Sequence, residues 1–215
     1  MDKHIIVLAN SKKYSNRCVA GIEVNRGENS NWGVVNNEGC PKWIRPVTNT
    51  EHGAIPTSYA QNIHILDVLE VKGYSPSPNG YQSENATYQT LRKVASIGLD
   101  QDNLNFLVDD QHRNIFGNHG KAVPLENVNL LSYSLMMIRV EWFQPFLKQY
   151  EGNSQGQLRG RFQFCGHAYD LPITDLSFMR DCNVNRRYSP AYLCISLGEQ
   201  LKGWCYKLIA GVIIT

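Results

Sequence analysis

The chain has 215 residues, 42% hydrophobic and 19% charged. That is enough apolar material for one large domain or two small ones, and it excludes an intrinsically disordered chain. The formal net charge of +2 and a pI near 8.2 exclude a uniformly basic, charge-driven DNA binder, so any nucleic-acid face must be a local patch.

The apolar run Ile5 to Leu8 predicts a strand, and Asn10 to Asn16 a polar turn rich in Ser, Asn and Lys. Arg17 to Val24 predicts a second strand, with Gly21 marking a bulge or a tight barrel bend. A loop over Asn25 to Asn31 and a short strand from Trp32 to Val35 follow. Trp43 to Val47 is a strand limited by Pro46, and Thr48 to Asn62 a long loop. Ile63 to Val71 is apolar on both faces and reads as a central strand. Gly73 to Asn85 is a further loop. Leu91, Val94 and Ala95 recur at helical spacing, which predicts a helix over Ala86 to Ile97 closed by Gly98. Phe106 to Val108 is a short strand in a polar surrounding.

The composition shifts near Pro124. Val128 to Trp142 predicts one long strand whose alternation slips at Met137 and Ile138, as a bulge would cause, and Pro145 ends it. Tyr150 to Gln157 is a loop. Leu158 to Phe164 and Ala168 to Ile173 predict a hairpin around Cys165 and Gly166. Thr174 is the expected N-cap of a short helix through Cys182, with Asp175 in its first turn. Tyr192 to Leu197 and Gly203 to Ile214 are the closing strands. The last should place Trp204, Tyr206, Leu208, Ala210, Val212 and Ile214 on one face.

The second half thus has the element order of an OB-fold, and the first half a looser version with longer loops. The expected fold is all-β with minor helices: two tandem OB-like β-barrels, residues 1–124 and 125–215, with a boundary near 122–128.

Several blocks resemble a bacterial family described as the dual OB-containing domain. They are Leu8-Ala9-Asn10-Ser11-Lys12-Lys13 running into Arg17-Cys18-Val19-Ala20-Gly21, then Trp43-Ile44-Arg45-Pro46, Leu66-Asp67-Val68 and Ser83-Glu84-Asn85. In the second half, Tyr169 to Asp175 and Ser196-Leu197-Gly198-Glu199 up to Leu208 also fit. The resemblance spans nearly the whole chain. It implies two OB-like barrels and a nucleic-acid-binding role in defence or mobile-element gene neighbourhoods, and it brings no catalytic residues.

Cations and aromatics suggest where a ligand would lie. Lys12, Lys13, Arg17, Lys42 and Arg45, with Trp43, could line an OB groove, cations tracking a phosphate backbone and the indole stacking a base. The alternative makes the lysines solvated turn charges and Trp43 a core residue. Arg186, Arg187 and Tyr188 form a second candidate in the loop before the fourth strand of the second barrel; the alternative is an exposed basic loop.

Cys165, His167 and Cys182 could offer metal ligands, but the tight paired spacing of zinc sites is absent, so neither metal nor cofactor is expected. No P-loop, G-x-S-x-G or H-E-x-x-H motif occurs. His64 reads as a satisfied core histidine. Glu84 and Asn85 have no structural explanation in the sequence, which leaves room for a hidden active site.

No apolar run approaches the roughly 18 residues of a membrane span. Met1 to His4 lead into only a short apolar run rather than a secretory leader, and the six cysteines form no C-x-x-C pair. The sequence therefore reads as a cytoplasmic, non-catalytic module binding single-stranded or structured nucleic acid. The rival readings are a protein-interaction subunit docking an enzyme from the same operon and a nucleotide-processing enzyme.

Overall fold

The computed structural model describes residues 1–27, 31–50, 52–98, 104–150 and 153–215, with side chains throughout these except 153–155. Parts of the expected loops at Asn25–Asn31, Thr48–Asn62 and Tyr150–Gln157 lie outside the described residues.

In chain order the first half contains β1 (Lys3–Lys13), β2 (Asn16–Arg26), β3 (Trp32–Val34), β4 (Asn36–Asn37), β5 (Cys40–Pro41) and β6 (Trp43–Pro46). Then come α1 (Thr57–Ala60), β7 (Asp67–Lys72), β8 (Ser75–Pro76), β9 (Asn85–Thr87) and β10 (Thr90–Ser96). The second half contains β11 (Ala122–Pro124), α2 (Leu125–Val128), β12 (Leu135–Val140), β13 (Phe143–Tyr150), β14 (Asn153–Phe164) and β15 (His167–Pro172). It ends with α3 (Leu176–Asp181), β16 (Ala191–Leu201) and β17 (Trp204–Ile214). The protein is all-β with short helices, and its curled sheets form two OB-like barrels.

The first sheet runs β10-β7-β1-β2-β6-β9-β8, with β3 paired to β2. The expected polar turn shrinks to Tyr14 and Ser15, because β1 and β2 pair as far as Lys13 and Asn16. Register shifts between Val7 and Ala9, which makes Leu8 a bulge. Gly21, opposite Val7, is the bend expected there: a Cβ on it would sit 2.1 Å from the Ile6 carbonyl oxygen. Ile5 and Val7 enter the core of the first barrel, while Ile6, Leu8 and Ala9 face a second cluster. A strand buried on both faces reads as an unbroken apolar run, as this one does.

Three expectations in this half are corrected. Ala86–Ile97 is not a helix; it holds β9 and β10, and a short helix, α1, lies before β7. β10 is a largely exposed edge strand, and its register with β7 shifts between Lys93 and Ala95. The bulge at Val94 breaks the period of two, so Leu91 and Ala95 mimic helical spacing while packing against different clusters. The central strand begins at Asp67, and His64 lies before it with an exposed side chain. Phe106 to Val108 forms no strand.

In the second half, β11-β17-β16-β12 form one sheet and β13-β14-β15 another. The run expected as one long strand, Val128 to Trp142, holds the end of α2 and then β12, without a register shift at Met137 and Ile138, and β13 starts just beyond it. These two strands part at Glu141–Trp142, each joining a different sheet. Pro145 sits inside β13, where that strand is the edge of its sheet and a missing N–H is tolerated. Tyr150–Gln157 is largely strand, since β14 begins at Asn153. A parallel bridge between Ile173 and Ile209 ties the two sheets together. The N-cap of α3 is Asp175, not Thr174. Its Oδ1 accepts from the amides of Ser177 and Phe178 at 3.0 and 3.1 Å, and its Oδ2 from Val212 N at 2.9 Å. Burial outweighs these bonds and raises the carboxyl pKa above its ordinary value. The single apolar face expected along β17 is split. Register with β16 slips so that Ala210 is extra, leaving Cys205 and Ile209 inward and Trp204 and Tyr206 exposed.

Both halves contribute to the central cluster, where Leu8, Ala20 and Val68 meet Leu135, Met137, Tyr192 and Cys194. At the crossing, β1 and β17 touch backbone to backbone: a Cβ on Gly211 would lie 1.9 Å from the Leu8 carbonyl oxygen. Gly211→Ala should therefore destabilise the protein by about 1–3 kcal/mol through overpacking. Urea unfolding of the variant beside the wild type checks this; an unchanged midpoint would contradict the contact.

Candidate nucleic-acid interface

The groove starts from the β1–β2 hairpin tip, which leans across onto the second barrel. Lys12 N donates to Thr174 O at 2.9 Å, and Lys13 Nζ pairs with Glu199 at 2.8 Å. Tyr14 stacks on His52 at 3.9 Å and donates its hydroxyl to Glu199 at 3.2 Å. Burial pushes the Glu199 carboxyl up, but Lys13, Tyr14 and His52 together hold it below its ordinary value. Between this tip and the face of β13-β14-β15 runs a groove of about 960 Å³. β16 and β17 contribute Ser196 to Leu201, Tyr206 and Leu208 to its wall.

Six Lys or Arg side chains line it (Lys12, Lys13, Arg45, Lys121, Lys148, Arg159) against two carboxylates, Asp170 and Glu199. Both carboxylates are engaged, Glu199 with Lys13 and Asp170 with Arg159 at 2.5 Å. Among the described residues no ion pair takes up Lys12, Lys121 or Lys148, and all three are exposed. Exposed rings stand beside them: Tyr14, Tyr150 and Tyr206, with Lys148 Nζ 5.3 Å from the Tyr150 centroid.

Of the residues singled out in the sequence, Lys12, Lys13 and Arg45 line this groove, and Arg17, Trp43, Arg186, Arg187 and Tyr188 do not. Arg17 exchanges backbone hydrogen bonds with Ile55. Trp43 is half-buried against the central cluster. Lys42 pairs with the buried Glu23 at 2.8 Å. Arg186 lies over the Tyr188 ring and Arg187 over Trp142, at 5.0 and 4.6 Å, while Tyr188 packs on the core of the second barrel. Lys121, Lys148, Tyr150 and Tyr206 were missed because they come from segments distant in sequence, whereas Tyr14 directly follows Lys12 and Lys13.

Arg45 sits in the groove floor and is 2% exposed. Its guanidinium reaches Glu84 at 3.0 Å, Ser134 Oγ at 2.8 Å and Asn85 Oδ1 at 3.2 Å. The Ser134 hydroxyl donates to Glu84, and Asn85 donates to Gln82. Glu84 and Asn85 therefore have the structural explanation their sequence lacked: they hold a buried cation between the barrels. Removing one partner strands the other charge, so Arg45→Ala or Glu84→Ala should cost about 3–5 kcal/mol, and the double replacement Arg45→Met with Glu84→Leu much less. Thermal or urea melts of the three variants test the ordering.

Behind the groove wall Lys207 is fully buried and donates to Asn118 O and Oδ1, both at 2.8 Å. Burial lowers its pKa from 10.5 to about 7. Over that interval the unfolded chain binds a proton that the folded chain does not, so this group adds stability as pH rises and gives it up as pH falls. The stability of wild type relative to Lys207→Met should climb by at most about 1.4 kcal/mol per pH unit from pH 7 toward 10 and be flat below 7. Denaturant titrations at stepped pH measure it.

No helix among the described residues is long and apolar enough to cross a membrane. None of the curated proteins matches the chain. Solved structures that match the chain include a murine DNA binding protein bound with ds DNA, at 6% identity and TM-score 0.36, covering 100% of this chain and 96% of that one. The Ifi202 HINa domain in complex with 20bp dsDNA matches at 12% identity and TM-score 0.33, covering 100% and 95%. The tetrameric p202 HIN2 matches at 10% identity and TM-score 0.32, covering 100% and 92%. The model of the dual OB-containing domain matches residues 3–212. The chain belongs to the dual OB-containing domain family.

Proposed function

We propose that the protein is a non-catalytic nucleic-acid-binding module of the cytoplasm, and that the groove between the hairpin tip and the second barrel is its binding surface. One observation carries this reading: the concentration of positive charge. A chain whose net charge is only +2 gathers six cationic side chains in one groove, and three of them, Lys12, Lys121 and Lys148, have no ion-pair partner among the described residues. Lys12, Lys121 and Lys148 would contact phosphates, with Lys13 supporting them from its ion pair. Tyr14, Tyr150 and Tyr206 would offer faces for unstacked bases, each stacked base adding about 1–3 kcal/mol. A groove with exposed rings beside free ammonium groups suits a single strand, whose bases are available, better than a closed duplex. The arginine loop at Arg186, Arg187 and Tyr188 is a separate surface in this reading.

The test is a titration of fluorescent single-stranded oligonucleotides against the full chain at several salt concentrations. Affinity should fall as salt rises. Replacing Lys12, Lys121 and Lys148 together by Ala should reduce the slope of log K against log salt by about 2, at roughly 0.7 per phosphate. The rival, a protein-docking subunit working beside an operon-encoded enzyme in a defence or mobile-element system, predicts no salt-dependent oligonucleotide binding and co-purification with that enzyme. Binding that ignores salt, or that the triple variant leaves intact, overturns the groove as the binding surface.

A further inference from the structure

Outside the groove, three side chains that nucleic-acid binding does not use converge. Cys40 lies in β5, and Asp109 and His112 in the segment leading to the second barrel. One ligand atom from each (thiol sulfur, carboxylate oxygen, imidazole nitrogen) lies within 4.8 Å of the other two. We propose that Cys40, Asp109 and His112 form a binding site for a divalent transition metal, with zinc as the matching ion. Tetrahedral zinc, bonded at 2.0–2.3 Å, sets its ligand atoms about 3.3–3.8 Å apart, so the ligand atoms need to shift by about 1.5 Å at most. Sulfur, nitrogen and oxygen on one centre select zinc or cobalt over magnesium and calcium.

The site is held in shape by contacts of its own. Asp109 is 7% exposed, and its Oδ1 accepts from the amides of Gln111 and His112 at 3.2 and 3.3 Å. His112 Nδ1 lies 2.9 and 2.8 Å from the two carboxylate oxygens. The Tyr133 ring, 4.8 Å from the imidazole, braces it from another direction. Asp110 and Glu38 add their fields to that of Asp109 at the Cys40 sulfur. Negative groups crowded on a thiol repel a bare thiolate and attract a dication. Cys40 and His112 are half-buried, so an ion can reach them, and three protein ligands leave a fourth position open. Because the ligands come from a two-strand hairpin and from the inter-barrel segment, the ion would pin one to the other.

The experiment is a titration of the full chain with Co2+, then with Zn2+. The expected result is one equivalent bound, with a thiolate-to-metal charge-transfer band and the visible bands of tetrahedral cobalt, both lost on adding zinc. Cys40→Ser should abolish the charge-transfer band, and His112→Ala should weaken binding by about tenfold or more. A second measurement uses the unaltered protein: zinc should slow alkylation of Cys40, followed by mass spectrometry, by about tenfold or more, while exposed Cys165 reacts as before. A missing tetrahedral spectrum, a charge-transfer band that survives in Cys40→Ser, or alkylation of Cys40 indifferent to zinc overturns the site.

Discussion

Two strands cross with nothing between their backbones, and the architecture depends on that contact. Leu8 of β1 and Gly211 of β17 approach so closely that no side chain fits at the glycine. Both strands carry an irregularity at the same place, Leu8 in one and Ala210 in the other. A bulge turns the following residues to the opposite face. Each strand is also buried on both faces, Ile6 joining the central cluster before one bulge and Val212 the second barrel's core after the other, and so serves two cores. Ile5 and Val7 fill the first barrel, Cys205 and Ile209 the second, and Leu8, Ala9, Ala210 and Ile213 the cluster between them. The barrels are fused along a shared core rather than joined by a tether, and the groove beside the crossing inherits that rigidity.

Buried polar groups set how the barrels sit against each other. Leu, Met and Ile side chains at the shared core are non-directional and would tolerate small slides. A buried guanidinium does not. Arg45 from β6 must meet Glu84 and Asn85 on its own side and Ser134 from the approach to β12. Removing both charges from water costs several kcal/mol per ion, so the pair is weak evidence of net stability. Its consequence is registration, since any displacement leaves charge unpaired at low dielectric. Asp175 acts in the same way at the other end of the interface. One carboxylate caps α3 and holds the β17 amide next to Gly211, where the strands cross.

The sequence made the second barrel's order of elements legible, because β14, β15, β16 and β17 alternate or run apolar over long stretches. Family membership was legible too, from blocks spread along the chain. Misreadings cluster where a bulge interrupts the alternation of a strand. Val94 turned β10 into an apparent helix, and Ala210 made one face of β17 look continuous. Arg45 shows a different limit. In sequence, an arginine beside a tryptophan on an OB strand looks like a ligand contact. Only the fold shows that Glu84, far along the chain, neutralises it. The groove lysines Lys121 and Lys148 were invisible for the converse reason: each is the lone cation of its stretch of sequence, and tertiary folding brings them together.

Which cations are buried determines what the groove is suited to read. Arg45 and Arg159, whose planar forks could make fixed bidentate contacts, are committed to protein partners. The exposed charge belongs to Lys12, Lys121 and Lys148, compact ammonium groups on flexible stems. Such groups follow a phosphate chain without fixing base identity, and tyrosine faces accept any base. Under the proposed function the groove would therefore suit a polymer rather than a sequence. These three lysines outnumber the chain's net charge of +2. Under the proposed function that local excess is what would draw a polyanion to one preferred face despite a modest total charge.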